Sequence, residues 1–256
     1  MEVHHPHHPT HKKKWSEYII EFIMLFTAVT LGFFAENIRE HFIEKEREQQ
    51  YVKIVHEDIV NDIKSLSHIV NSYELKLLRE DTLIDLLSNF NANKTNDLYY
   101  LARLNSIREF FIHSKNGFQQ LKNAGGLRLI EDITIVKKIQ NYENMVEEME
   151  NLQNLTEQLL MNYREKMAVI FRGSVFKTMS KNPNATAIED RFNRPTNNPS
   201  LIQTNQIDLN EFLIKTLYAH NNNLGIYNRA KKLLVEAKIL ENLLTEKYKI
   251  EKAKLE

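Results

Sequence analysis

From Tyr18 to Ala35 the chain reads YIIEFIMLFTAVTLGFFA, with Glu21 its one charged residue. At 1.5 Å per residue this run makes about 27 Å of helix, slightly under the roughly 30 Å hydrocarbon core of a bilayer. Trp15 and Tyr18 stand where interfacial aromatics belong, next to Lys12, Lys13 and Lys14, which can reach lipid headgroups. The pattern predicts a transmembrane helix over 15–36, anchored at the interface by those five residues. A signal peptide fits less well, because Phe33 and Ala35 supply no small-x-small cleavage pattern and helical spacing continues through Glu36-Asn37-Ile38-Arg39. A buried core helix competes on composition, but the fourteen uncharged residues from Phe22 to Ala35 and their flanks favour a membrane.

Beyond this run no Gly or Pro occurs until Gly117, and apolar residues recur with helical spacing. Val52, Ile59, Leu66 and Tyr73 repeat every seven residues, as do Ile63, Val70, Leu77 and Ile84. They predict one long seam, about 78 Å of helix if unbroken from Glu36 to Leu87. Ser88 to Asp97 reads as a turn, and a second helix follows from Leu98 to Ser114 until Gly117 ends or interrupts it. Asn-Ala-Gly-Gly, ending at Gly125 and Gly126, is a helix-stop motif, since glycine takes positive φ without a Cβ penalty. Asp132 is placed to cap a third long helix, with Ile135, Ile139, Tyr142, Val146, Met149, Leu152, Leu159, Tyr163, Met167 and Ile170 on one side, stopping near Gly173. Residues 173–207, with Gly173, Pro183, Pro195 and Pro199, predict a long loop. Asp208-x-x-Glu211 resembles a capping box opening a last helix through Leu213, Leu217, Leu224, Tyr227, Leu234, Ala237, Leu240, Leu244 and Tyr248, which Asn221 to Gly225 is placed to kink or break.

Composition agrees with an all-α chain: 42% hydrophobic and 27% charged residues with only six Gly and five Pro suit helices better than a sandwich or barrel. The fold class expected is one N-terminal transmembrane helix continuing into a long antiparallel helical bundle or coiled-coil rod, with a disordered tail over 1–14, the span over 15–36 and a helical extramembrane domain over 37–256. Charge is balanced, 34 basic against 34 acidic residues, so no nucleic-acid face is implied. Without cysteine there is no disulfide framework, zinc-thiolate site, iron–sulfur cluster or thiol nucleophile.

Candidate chemistry is sparse. The leader MEVHHPHHPTH could hold a metal weakly, but its spacing defines no geometry, and a solvated tail is the simpler reading. No histidine begins a His-Glu-x-x-His motif, no Gly-x-Gly-x-x-Gly or Gly-Lys-Ser/Thr pattern cradles a phosphate, and no nucleophile stands out, so neither an enzyme nor a bound cofactor is expected. His113 and His220 lie beside apolar stripes and could meet. Glu57, Asp58, Asp62, Glu143, Glu147, Glu148 and Glu150 read as solvated helix faces. Within the span, Glu21, Ala28, Gly32, Ala35 and Arg39 fall on one stripe at 100° per residue. Ala28-x-x-x-Gly32 permits close helix packing to a second copy or a membrane-protein partner; equally, Glu21 can snorkel to the headgroups and the small residues can be incidental.

The histidine-rich leader, the lysine run, FIMLFTAVTLGFFAENIREHF and LKNAGGLRLI together resemble a family of uncharacterised membrane-anchored proteins widespread in Bacteroidota. Thr27 to Phe42 and Leu121 to Ile130 carry the resemblance most specifically. It implies an integral inner-membrane protein with one N-terminal span, and no reaction or ligand. The contiguous lysines set the expected orientation, with a cytoplasmic N-terminus and a periplasmic C-terminal domain. The function expected is a scaffold or accessory subunit of a membrane complex, as a homo-oligomer or with a heterologous partner. Its rival is a periplasmic ligand-sensing bundle that signals through a partner.

Overall fold

The computed structural model describes residues 14–250. They form six α-helices: α1 Trp15–Ser88, α2 Thr95–Asn105, α3 Asn116–Asn123, α4 Ile133–Ile170, α5 Gly173–Met179 and α6 Gln206–Tyr248. Short 3-10 turns occupy Ala92–Lys94, Gly126–Leu129 and Ile188–Arg191. The chain divides into two units after Gln50.

In the first unit α1 presents its apolar side chains outward: Phe22, Leu25, Phe26, Leu31, Phe33 and Phe34 are each more than half exposed. This is one helix long and apolar enough to cross a membrane. Thr30 satisfies its hydroxyl within the helix, donating to the Phe26 carbonyl at 2.7 Å.

The second unit is a bundle of four legs running up, down, up and down. Paired contacts fix the directions: α4 meets α6 at Asp132–Lys247, Lys138–Glu236, Glu148–Arg229 and Lys166–Asp208, one number rising as the other falls. α1 meets α6 in the same antiparallel sense at His56–Thr245 and Glu80–Asn223. The second leg is composite. α2 stops at Asn105, residues 107–115 are neither helix nor strand, and α3 completes the descent.

The second helix expected over Leu98–Ser114 therefore ends nine residues early. Length explains the break. The 14-residue step of α1 from Asp62 to Lys76 rises about 21 Å, and the six-residue step from His113 to Ile107 matches that only if extended, at about 20 Å. The alternation is period two as well, with Phe111 and His113 buried and Phe110 and Ile112 exposed. Gly117, rather than ending a helix, lies in the first turn of α3. A Cβ there would sit 2.6 Å from the Val55 nitrogen, so only glycine lets α3 approach α1 this closely.

The seam on α1 is a regular alternation of three and four: Val52, Val55, Ile59, Asp62, Leu66, Ile69, Tyr73, Lys76, Glu80, Leu83 and Leu87 are all buried. The expected series through Val70, Leu77 and Ile84 is displaced by one residue and is only half-buried. In α4 the same alternation buries Gln153, Thr156 and Leu160 where Leu152 and Leu159 were expected. In α6 it buries Phe212, Thr216, Asn223, Ile226 and Leu233 in place of Leu213, Leu217, Leu224, Tyr227 and Leu234. Six of the buried polar residues, Lys76 and Glu80 of α1, Gln153 and Thr156 of α4 and Thr216 and Asn223 of α6, come midway, between one apolar cluster around Ile59, Ile139 and Leu240 and another around Leu83, Tyr163 and Phe212.

Asp132 caps α4 by accepting from the Thr134 amide at 2.9 Å. α6 begins two residues before Asp208. Its cap is Asn205, which accepts from the Asp208 amide at 2.9 Å, while Asp208 and Glu211 both hold the Lys166 ammonium, at 2.5 and 2.6 Å. α6 continues unbroken through Gly225, where an added Cβ would meet only Leu152 at an ordinary 3.5 Å. Residues 173–207 are not one open loop. α5, a 3-10 turn and a Ser180–Phe192 bridge fold them back, with Met179, Ile188 and Leu201 buried. Tyr99 ties this segment down, donating to the Ser200 carbonyl at 3.1 Å and accepting from the Arg172 amide at 3.0 Å.

Candidate functional site

The extended stretch between α2 and α3 runs through the bundle with no β-partner, so its backbone groups need side-chain partners. α1 and α4 supply them. Lys76 Nζ donates to the Ile107 carbonyl at 2.9 Å and the Tyr73 hydroxyl to that of Glu109 at 2.9 Å. The Gln153 amide pairs with both groups of Phe111, accepting from its N–H at 2.6 Å and donating to its carbonyl at 3.2 Å. Asp62 Oδ1 accepts from the Ser114 amide at 2.8 Å, and Asp58 Oδ2 from the Gly117 amide at 2.6 Å. Arg164 donates twice to the Ser106 carbonyl at the end of α2, through Nε at 3.0 Å and Nη2 at 2.8 Å.

Asp58 and Asp62, read from sequence as solvated, are thus buried and structural. Burial raises the Asp58 carboxyl above its usual range, and the two α3 amides oppose that shift. Glu57, by contrast, is exposed. The sequence signal for Asp62, Lys76 and Glu80 was their place in the three-four alternation of α1, masked by the apolar series one residue further on.

His113 stands at the centre of the most charged part of this network. Its Nδ1 lies 2.6 Å from Asp62 Oδ2 and its Nε2 3.1 Å from Glu143 Oε1. Burial opposes a charge on the ring, but hydrogen bonds to the two carboxylates outweigh it and raise the pKa to about 9. The imidazolium therefore donates from both nitrogens at neutral pH. The Tyr142 hydroxyl donates to Asp62 Oδ2 at 2.8 Å, and both burial and the Asp62 charge push its pKa up. Glu143, which also takes the Lys122 ammonium at 3.1 Å, is held below the carboxylate range by those two cations despite its burial. With carboxylates on both ring nitrogens, the arrangement clamps three legs of the bundle together.

His220 does not meet His113. Its Nδ1 lies 3.3 Å from Glu80 Oε2 and its Nε2 3.5 Å from Asp81, and the Glu80 carboxylate raises its pKa. Among the described residues no group of three or more His, Asp or Glu is placed to hold a metal ion. The histidines of the leader, with Lys12 and Lys13, lie outside the described residues, as does the tail expected over 1–14 except for Lys14, whose carbonyl accepts from the Glu17 amide at 2.8 Å.

Within the first unit, Glu21, Ala28, Gly32, Ala35 and Arg39 all lie on α1. Nothing stands within 4 Å of where a Gly32 Cβ would be, so that face is open. Arg39 is engaged with Glu36, its Nε donating at 2.8 Å. Trp15 and Tyr18 are exposed at the start of the helix. Gly125 follows α3 in the left-handed conformation, φ 63°, and Gly126 packs where a Cβ would come within 2.9 Å of Leu121.

Comparison of the chain with protein-family models, curated proteins and solved structures found no match.

Proposed function

We propose that the protein is a bacterial inner-membrane protein held by a single N-terminal span, acting as a helical scaffold or accessory subunit of a membrane complex without chemistry of its own. The observation that carries this reading is the outward array of large apolar side chains on α1 from Tyr18 to Phe34, which water solvates poorly and a bilayer accommodates. The carboxylate-paired His113 network supports a structural bundle over an active site. In this reading Ala28, Gly32 and Ala35 admit a neighbouring helix, from a second copy or another membrane protein. Membership of the Bacteroidota family that Thr27–Phe42 and Leu121–Ile130 resemble belongs to the same proposal, as do the cytoplasmic N-terminus and periplasmic bundle.

The test uses the absence of native cysteine. A single cysteine at the exposed Ser200 is labelled in intact cells by a membrane-impermeant maleimide, and carbonate-washed membranes retain the protein. Labelling only after lysis reverses the orientation, and release by carbonate removes the span. Native mass spectrometry of the complex in mild detergent then separates a self-assembled scaffold from an accessory subunit.

A further inference from the structure

We propose that the groove between α3 and α4 binds a small zwitterion with an apolar side chain, of the size and charge of an aliphatic α-amino acid. The groove has two adjoining lobes, of about 200 and 70 Å³, which share Phe118, Lys122, Glu143 and Asn144. Drug-sized ligands occupy pockets of roughly 300–1,000 Å³, so these lobes suit only a small metabolite.

The larger lobe is lined by polar and apolar groups about equally, and its charges are sorted by wall. Lys115 and Lys122 line it from the α3 side, and Glu143, Glu147 and Glu150 from α4, with the His113 imidazolium between them. Three cations face three carboxylates, so a ligand carrying only one sign of charge meets as much repulsion as attraction. A zwitterion lying across the groove satisfies both walls, carboxylate to the lysines and ammonium to the glutamates. Gln119, Asn144 and Glu147 have no side-chain partner among the described residues and keep their hydrogen-bonding capacity for it.

The smaller lobe is apolar, floored by Phe118, Leu121, Leu127 and Ile139. An aliphatic side chain attached to the zwitterionic head reaches it from the larger lobe. Lys115–Glu150 at 3.0 Å and Lys122–Glu143 at 3.1 Å bridge the walls; the exposed lysines can turn from these contacts to the ligand's carboxylate at little cost, while Glu143 keeps its bond to His113. This site goes beyond the anchoring role and does not depend on it, since binding is read on the bundle and anchoring on the membrane.

The probes are L-leucine, 4-methylpentanoate, which lacks the amine, and 3-methylbutylamine, which lacks the carboxylate. Each is titrated at millimolar concentration into the full-length protein in detergent, by calorimetry and by melting temperature. L-leucine is expected to bind saturably and raise the melting temperature, with both analogues weaker by about tenfold or more, the loss of one charge-assisted contact. Gln119→Ala and Glu147→Gln, on exposed side chains without a side-chain partner among the described residues, should each weaken L-leucine to a similar degree without changing the unliganded melting curve. No binding of L-leucine, equal binding of either analogue, or binding unaffected by both substitutions overturns the proposal.

Discussion

Gly117 donates its amide to Asp58 across a 2.6 Å hydrogen bond, and the same close approach leaves no room for a side chain between α3 and the Val55 backbone. Gly117→Ala must therefore push α3 off α1, weakening the Asp58 bond with it. We expect a loss of roughly 2 kcal/mol in urea unfolding. Gly225→Ala is the contrast: its Cβ meets only Leu152 at an ordinary distance inside continuous α6, so it should gain about 0.5–1 kcal/mol. Equal effects at the two glycines would contradict this packing.

The His113 clamp predicts how stability follows pH. The groups facing the ring are Asp58 and Asp62 of α1, Tyr142 and Glu143 of α4, and Lys122 of α3. Because the folded ring binds its proton more tightly than the unfolded one, its stabilisation is fully present below about pH 6.5 and is lost as pH rises through about 9. The shift corresponds to roughly 3 kcal/mol. Glu143, held below its usual range, acts in the opposite sense, and its contribution is lost at acid pH. His113→Gln should leave Asp62 buried without its cation and cost about 3 kcal/mol at pH 7, a difference that shrinks above pH 9. A His113→Gln penalty that does not change with pH would rule out the charged clamp.

Asn205, not Asp208, opens α6. Asn205→Ala should lower stability by about 1 kcal/mol, the worth of a typical N-cap. Glu211→Gln, at a half-exposed partner of Lys166, should cost less than that. Chemical denaturation of the two variants orders them, and the reverse order would restore Asp208-x-x-Glu211 as the cap.

In the apolar part of α1, replacing Ala28 and Gly32 together with Leu fills the open small-residue face. If that face seats a neighbouring helix, crosslinking in membranes falls several-fold while the amount of membrane-bound protein is unchanged. Undiminished crosslinking assigns association to another surface.

Leu66 and Ile59 are fully buried on the α1 seam. Aspartate at either site leaves an unpaired charge in the core, and the cooperative thermal transition should disappear from circular dichroism. A retained transition would place the seam elsewhere.

Periodicity alone identified the long first helix, the helices beginning at Asp132 and near Asp208, the all-helical class and the apolar run near the N-terminus, because these depend on local spacing and capping chemistry. The same reading placed the α1 series Val52, Ile59, Leu66 and Tyr73 in the core, where it lies, but put Val70, Leu77, Ile84 and several α6 positions one residue off. An apolar stripe is wide, so Val70, Leu77, Leu213 and Leu224 at its edge read more strongly than Asp62, Lys76, Thr216 and Asn223 at its centre. For Asp58, which lies off the three-four alternation, nothing local tells a buried carboxylate from a solvated one. Asp58 and Asp62 are buried because another leg, 50 to 60 residues later, brings unpaired backbone amides to them. That leg is extended because a short segment must cover the same distance as a longer helix. The sequence by itself determined the three long helices and where the chain is apolar enough to meet a bilayer. Only the tertiary structure decided which polar groups go inside, since their desolvation is compensated by partners that local spacing cannot supply.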